Sequence, residues 1–305
     1  MIRGVLVTGA TGFIGNHVMR RCAERGWSAW AWTRDPARAR ARLGPTASLA
    51  SRLDDIPADA PIDAIVNLAG APVIGPPWTR ARRRLLIESR VKTTQAVLEW
   101  SARRAVRPRV IVSASAIGFY GPADDRWLDE SSPPQPVSFQ SQLCMAREQA
   151  ANAAADLGMR VVNLRIGVVL GADGGLLPRL ALPAKFGLAA VLGDGSQWMS
   201  WIHIDDLLRV VELALTDDGL QGPVNAVSPE PARQREFQRA LTRKLGRPLW
   251  LRVPAWVLDT ALGEMAELLV RSQRVAPRRL TGQGFEFRYP AVDAALGEAL
   301  RRERS

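Results

Sequence analysis

Cysteine, histidine, tyrosine and lysine are all scarce in this 305-residue chain, with two of each of the first three and three lysines. Cys22 and Cys144 make neither a disulfide framework nor a paired-cysteine metal site, and a reducing cytoplasm is the compartment this usage suits. With His17 and His203 the only histidines, no metal site is expected and a His-based triad is not either. No run approaches twenty apolar residues, so no membrane span is expected. The chain enters a strand at once, so no signal or transit peptide is expected. Positive charge is abundant: the net charge is +11, almost all of the basic residues being arginine. These arginines are dispersed, in Arg38–Arg42, Arg80–Arg84 and Arg301–Arg304. A nucleic-acid surface gathers them on one face with aromatics between, so solvated helix faces account for them and nucleic acid is not an expected partner.

The first fifteen residues organise the rest. Val5-Leu6-Val7-Thr8 reads as a short buried strand, followed by Gly9-Ala10-Thr11-Gly12-Phe13-Ile14-Gly15 and then by Ile14, Val18 and Cys22 at helical spacing. A strand, a glycine turn and a helix start aim unpaired backbone N–H groups at a pyrophosphate. Gly9 permits the tight turn, Gly12 the approach of the phosphates, and Gly15 the close packing of helix on sheet. About twenty residues on, where this fold reads the adenosine ribose, the strand Trp30-Ala31-Trp32 ends in Thr33-Arg34-Asp35. A hydroxyl and a guanidinium suit a 2′-phosphate, which favours NADP. Asp35 offers the competing reading, a carboxylate for the 2′-hydroxyl of NAD, or else an N-cap for the segment from Pro36.

Further along, buried strands are expected near 47–53, at Ala64–Asn67, Val110–Ser115, Arg160–Arg165 and Val224–Val227, with helices at about 79–105 and 138–157 between them. That alternation predicts an α/β fold, a Rossmann-type doubly wound parallel sheet. After Gly171 the chain turns glycine- and proline-rich, and Trp201-Ile202-His203-Ile204-Asp205-Asp206 opens another helix with the two aspartates as caps. We therefore divide the chain into a dinucleotide-binding domain, 1–170 with 203–227, and a smaller, mainly helical substrate or lid lobe, 171–202 with 228–305. Small residues at Leu68-Ala69-Gly70 let a dinucleotide lie across the strand end, and Asn67 can tie neighbouring loops together.

Taken together, Gly9–Gly15, Asn67–Gly70, Ser113-Ala114-Ser115 and Trp201–Asp206 resemble the short-chain dehydrogenase/reductase superfamily in its extended, nucleotide-sugar-epimerase-like branch. Ser89-Arg90-Val91, Arg165–Gly171, Gly222–Val227, Gly263–Glu267 and Gly284–Pro290 narrow the resemblance to the NADP-binding "epimerase family" group. The resemblance implies that Thr33 and Arg34 hold the 2′-phosphate, that Leu68 and Ala69 line the adenine–ribose side, and that Arg90 and Val169 are cofactor contacts. It also implies a small-molecule substrate, an oxidoreductase or epimerase activity, and a homodimer formed through the two long helices.

One departure stands out. The superfamily's Tyr-x-x-x-Lys pair, in which lysine lowers the tyrosine pKa for acid–base work, falls on Gln140 and Cys144 when counted from Glu148. Ser115 matches the superfamily's serine, and Tyr120 is the candidate to work beside it, with packing as the alternative. His203 has a cleft role and a strand–helix cap as its two readings. A non-catalytic NADP-binding sensor is the rival to the enzyme.

Overall fold

The computed structural model describes residues 2–304. Seven strands form its central sheet: β1 (Gly4–Thr8), β2 (Ser28–Trp32), β3 (Ser48–Ala50), β4 (Ala64–Asn67), β5 (Val110–Ala116), β6 (Arg160–Ile166) and β7 (Gly222–Ala226). They are all parallel, in the order β3-β2-β1-β4-β5-β6-β7. The order reverses between β1 and β4, so the carboxyl ends of those two strands open the crevice in which such sheets bind ligands. The helices that matter are α1 (Phe13–Glu24), α2 (Pro36–Leu43), α3 (Arg80–Ala102), α4 (Phe139–Asn152), α5 (Leu177–Lys185), α6 (Ile204–Thr216) and α7 (Gln234–Leu245).

The strands read as nearly continuous apolar runs because both faces of the sheet are covered. Val5 and Val7 turn to one face and pack with Val18 and Cys22 of α1 and Leu207 and Val210 of α6. Leu6, Ile65 and Ile111 turn to the other and meet Val97, Leu98 and Trp100 of α3. Burial pushes the Cys22 thiol up to about 12, so it is an inert core residue. The expected doubly wound sheet is thus the one observed, with Thr79 and Ser138 accepting backbone N–H bonds as the caps of α3 and α4.

Beyond β6 the chain builds a second core. Val168–Gly171 pairs parallel with Trp201–His203 and antiparallel with Gly174–Gly175. Against them α5, α7 and the C-terminal helix Val292–Arg304 bury Trp201, Phe237, Leu241, Leu296 and Leu300. The Trp201 indole N–H finds the Glu230 carbonyl at 3.1 Å. The cap of α6 is His203, as its strand–helix reading has it, and the expectation that fails is that of the aspartates as caps. Asp206 instead accepts the N–H groups of Arg288 and Tyr289, both at 2.9 Å, and Asp205 pairs with Arg302 at 2.7 Å. Each carboxylate is held by chain far away in sequence, which local spacing does not reveal.

The α1–β1 junction leaves no room at Gly15, where a Cβ would lie 2.2 Å from the Gly9 carbonyl oxygen and 2.7 Å from Ala10 Cα. Gly15→Ala is therefore expected to destabilise by about 1–3 kcal/mol through overpacking and to lower Tm by several degrees. Thermal unfolding of the variant checks this, and an unchanged Tm would contradict the close packing.

Candidate functional site

The glycine turn is shaped by contact with the neighbouring strand. Gly9 has φ +69°, and a Cβ on it would sit 2.9 Å from the Ala69 backbone nitrogen. Only glycine tolerates both conditions. Gly12 donates to the Gly9 carbonyl at 2.9 Å and caps α1 without any side-chain bond. With no acidic residue in the first turn of α1, the positive end of the helix and its unpaired N–H groups are open to an anion. Thr11 and Ile14 are half-buried around the turn. Phe13 has a different task. Its ring fills the space above Gly171, Gly174 and Gly175, where any Cβ would collide with it or with the Val169 carbonyl. The motif residue thus clamps the hairpin of the second core onto α1, beside Val169, which is itself buried. Gly9 and Gly15 are thus required by close backbone contacts, while Gly12, exposed ahead of α1, leaves the helix end uncovered for an anion such as a dinucleotide's pyrophosphate.

At the far end of the cradle, Asp35 settles into its capping reading: Oδ1 accepts the Arg38 N–H at 2.9 Å at the start of α2. Thr33 is half-buried and accepts the Asp35 N–H at 3.3 Å. Arg34 is exposed, and its guanidinium has no partner among the described residues. The carboxylate is engaged locally and the guanidinium is not.

The floor is a set of hydrogen bonds between β1, β4 and the helices behind them. Thr8 Oγ1 donates to Asn67 Oδ1 at 2.8 Å and accepts the N–H groups of Leu68 and Ala69 at 3.1 and 3.0 Å. Asn67 Nδ2 donates to Thr94 at 2.8 Å, so this buried asparagine ties elements together. Arg90 donates to the Leu86 and Ala71 carbonyls at 2.8 and 3.1 Å and lies across Gly70, where a Cβ would be 2.8 Å from its Cζ. Burial lowers its pKa. Behind it stands a residue that the sequence reading missed. Arg147 of α4 is buried, donates to the Asn67 carbonyl at 2.7 Å, and leaves its Nε without a partner. Burial, reinforced by Arg90, pushes its pKa down to about 9. The signal was available: residues 144, 147, 148 and 151 share one helical face, and a buried face carrying two charges has a reason for them.

The serine and tyrosine candidates belong to one buried network. Ser115 Oγ donates to Glu148 at 2.7 Å, and Arg165 holds both carboxylate oxygens of Glu148 at 2.9 Å. Arg165 also donates to the Tyr120 hydroxyl at 3.0 Å and lies over the Phe119 ring. Tyr120 in turn donates to Asn225 at 2.7 Å. Tyr120 is fully buried, and burial pushes its hydroxyl up to about 12. Its side chain is held within this network, which fits the packing reading, and its neighbour Gly121 lines a small cleft. Gln140, at the place of the superfamily's tyrosine, packs on Gly118. Cys144, at the place of its lysine, is buried with a thiol raised to about 11 by desolvation first and Glu148 second.

Between the sheet and the second core lies a slender cavity of about 70 Å³, walled by Leu176, Leu180, Leu192, Met199, Leu268 and Leu269. An adjoining cleft of about 40 Å³ reaches Ser138 and Gln140 and shares Leu268, Arg271 and Gln273 with it. Lys185 pairs with Glu303 at 2.8 Å and Phe186 is exposed; neither lines the cavity, whereas Trp198 does. Among the described residues no group of His, Cys, Asp and Glu could hold a metal, and no helix is long and apolar enough to cross a membrane.

Residues 5–226 match the family described as the NAD dependent epimerase/dehydratase family, and residues 253–299 match a domain of unknown function, DUF1731. Epimerase family protein YfhF of Bacillus subtilis is 31% identical over 297 residues, 97% of each chain. The chloroplastic epimerase family protein SDR39U1 homolog of Arabidopsis thaliana is 36% identical over 298 residues, 96% of this chain and 85% of that one. The crystal structure of human epimerase family protein SDR39U1 with NADPH superposes with a TM-score of 0.88 at 32% identity, covering 98% of this chain and 99% of that one.

His203 gives the site a pH signature. It is fully buried, and its Nδ1 accepts the Asp205 N–H at 3.2 Å, which puts the proton on an Nε2 without a partner. Burial holds its pKa below the usual 6.5 against the pull of Asp205. Below that value the unfolded chain takes a proton that the fold refuses, so stability falls as pH drops through it. His203→Asn keeps a capping oxygen and cannot titrate. Between pH 7.5 and 5.5 the wild type is expected to lose up to about 1.4 kcal/mol more than the variant, as read by urea unfolding. Parallel losses would contradict a neutral buried histidine.

Proposed function

We propose, for a chain that belongs to the NAD dependent epimerase/dehydratase family, that the glycine cradle binds NADP(H). The protein then works as an oxidoreductase or epimerase of the extended short-chain dehydrogenase type, on a small molecule and without a Tyr-x-x-x-Lys pair. The observation that carries the cofactor choice is the contrast between Asp35, engaged as the α2 cap, and Arg34, free to take a 2′-phosphate. NADPH is also what the human SDR39U1 crystal structure holds.

In this reading the backbone of Gly9, Thr11, Gly12, Phe13, Ile14 and Gly15 meets the pyrophosphate. Thr33 and Arg34 would bind the 2′-phosphate, Leu68, Ala69 and Gly70 would line the dinucleotide, and Arg90 and Val169 would contact it. The bound cofactor supplies or accepts a hydride. Ser115 acts at the substrate: its hydroxyl turns from Glu148 to hydrogen-bond a carbonyl oxygen, while Tyr120 fixes the Arg165 that holds Glu148 in place. Residues 1–170 with 203–227 form the cofactor domain and 171–202 with 228–305 the substrate lobe. The cytoplasm is its compartment, and a homodimer through α3 and α4 its assembly.

A second reading has its own observation. Gln140 has no titratable proton, Cys144 is buried, and Tyr120 holds its proton well above neutral pH, which equally suits a non-catalytic NADP-binding sensor.

Two variants test these readings. Arg34→Ala is expected to weaken NADPH about 10- to 100-fold through loss of charge-assisted bonds and to leave NADH binding nearly unchanged. Equal small effects on both would remove Arg34 from the site. With carbonyl compounds and NADPH, Ser115→Ala is expected to lower kcat at least about tenfold. A chain that binds NADPH but turns over nothing across a broad carbonyl and sugar-nucleotide panel is the sensor.

A further inference from the structure

Four large apolar side chains at one end of the second core are left uncovered. Leu182, Phe186, Leu188 and Trp250 are 56–74% exposed. The backbone gathers them. α5 and α7 pack on each other, and each is followed by a left-handed glycine, Gly187 and Gly246. The chain is turned there in the same way. Leu188 donates to the Pro183 carbonyl and Arg247 to the Thr242 carbonyl, both at 2.9 Å. From these turns the chain enters two short strands, Ala190–Leu192 and Leu251–Val253, paired in parallel with Ala190 opposite Leu251. That register sets Leu188 and Ala189 beside Leu249 and Trp250. Leu182 and Phe186, four residues apart, share a face at the end of α5.

The charge around them has one sign. Residues 174–193 hold Arg179 and Lys185, and residues 237–258 hold five basic residues, with no acidic residue in either segment. The C-terminal helix answers part of this charge. Its Glu303 pairs with Lys185 at 2.8 Å, and its Asp293 pairs with Lys244 at 2.6 Å and with Arg243. Arg247 is exposed, and its guanidinium has no partner among the described residues.

This composition narrows the occupant. A second copy seated on the same patch would set these cations against one another. A bilayer containing anionic lipid meets both features. Phenylalanine and tryptophan settle at the boundary of headgroups and acyl chains, and arginine beside them meets the negative surface. Among the described residues no helix can cross a membrane, so the contact is one of lying on the surface.

We infer that this end of the second core docks on an anionic membrane surface. Phe186, Leu188 and Trp250 enter the boundary between headgroups and acyl chains, and Arg247 meets lipid phosphates. The inference needs no bound cofactor and stands apart from the NADP(H) reading.

The test is co-sedimentation of the full chain with vesicles, one set of phosphatidylcholine and phosphatidylglycerol in equal parts and one of phosphatidylcholine alone. Binding to the mixed vesicles is expected at least about tenfold tighter than to the neutral ones, and weaker as salt rises from roughly 0.05 to 0.5 M. Trp250→Ser and Phe186→Ser are each expected to weaken it about tenfold, the worth of one large apolar side chain. Arg247→Gln is expected to weaken it about fivefold, the worth of one cation near the surface. Trp256 is 69% exposed but lies past the other end of the strand pair, on the helix Ala255–Leu262. Trp256→Ser is expected to leave binding unchanged. All four side chains are exposed, so an unchanged Tm reports that each variant folds. No binding to the mixed vesicles, equal binding to the neutral ones, or equal loss with Trp256→Ser overturns the inference. So does binding that Trp250→Ser and Phe186→Ser leave untouched. Dimerisation in sedimentation velocity that Trp250→Ser abolishes would give the patch to a second copy and overturn it as well.

Discussion

The contact on which the site depends is the one between the ends of β1 and β4. Thr8 bonds across to Asn67, Leu68 and Ala69, and Gly9 turns directly beside Ala69, in space that no Cβ could share. That junction fixes where the chain leaves the sheet and hence where the first turn of α1 points. It also sets the floor: Asn67 reaches Thr94 on α3, and Arg147 of α4 reaches the Asn67 carbonyl. Helices on one face of the sheet and the glycine turn are thereby tied together. A binding site for a large anion benefits from such ties, because little ordering is left to be done when the ligand arrives.

Behind the crevice the positions that the superfamily gives to tyrosine and lysine hold Gln140 and Cys144, and the buried charge lies on other residues. Glu148 and Arg165 form a buried pair whose remaining capacity is taken by Ser115 and Tyr120. Burying both partners is costly, and the bidentate geometry with extra hydrogen bonds is what offsets it. Arg147 is the contrast: a buried guanidinium with backbone acceptance at one nitrogen and no carboxylate. Two arginines, 90 and 147, thus give the underside of the crevice a positive potential, which is the sign a dinucleotide's phosphates require.

Much of this was legible in the sequence, for physical reasons that differ from one element to the next. The parallel sheet was, because strands covered on both faces must be apolar throughout, and the cap Asp35 was, because it acts on its own helix within three residues. The cradle glycines were, since a strand, a glycine turn and a helix start follow one another in sequence, although the contact of Gly9 with Ala69 was not. The cap of α6 was legible in His203, read as a strand–helix cap, but the tasks of the two aspartates were not: they serve Arg302 and the 288–289 backbone, about ninety residues on. Nor was the setting of Tyr120, whose partner Asn225 is more than a hundred residues away on another strand. Phe13 belongs to the glycine motif and yet its ring serves a hairpin near residue 174. Arg165 and Arg147 could have been noticed as charges inside buried runs, but their partners could not.

The central claim is that this cradle is built for a dinucleotide with a 2′-phosphate. A titration of the purified protein with NADPH and with NADH tests it most directly, followed by quenching of the ten tryptophans, of which Trp32 adjoins Thr33. The account predicts saturable quenching by NADPH at a Kd at least about tenfold below that for NADH, the margin of roughly one charge-assisted contact. Equal affinities, or a preference for NADH, would return the ribose to Asp35 and contradict it.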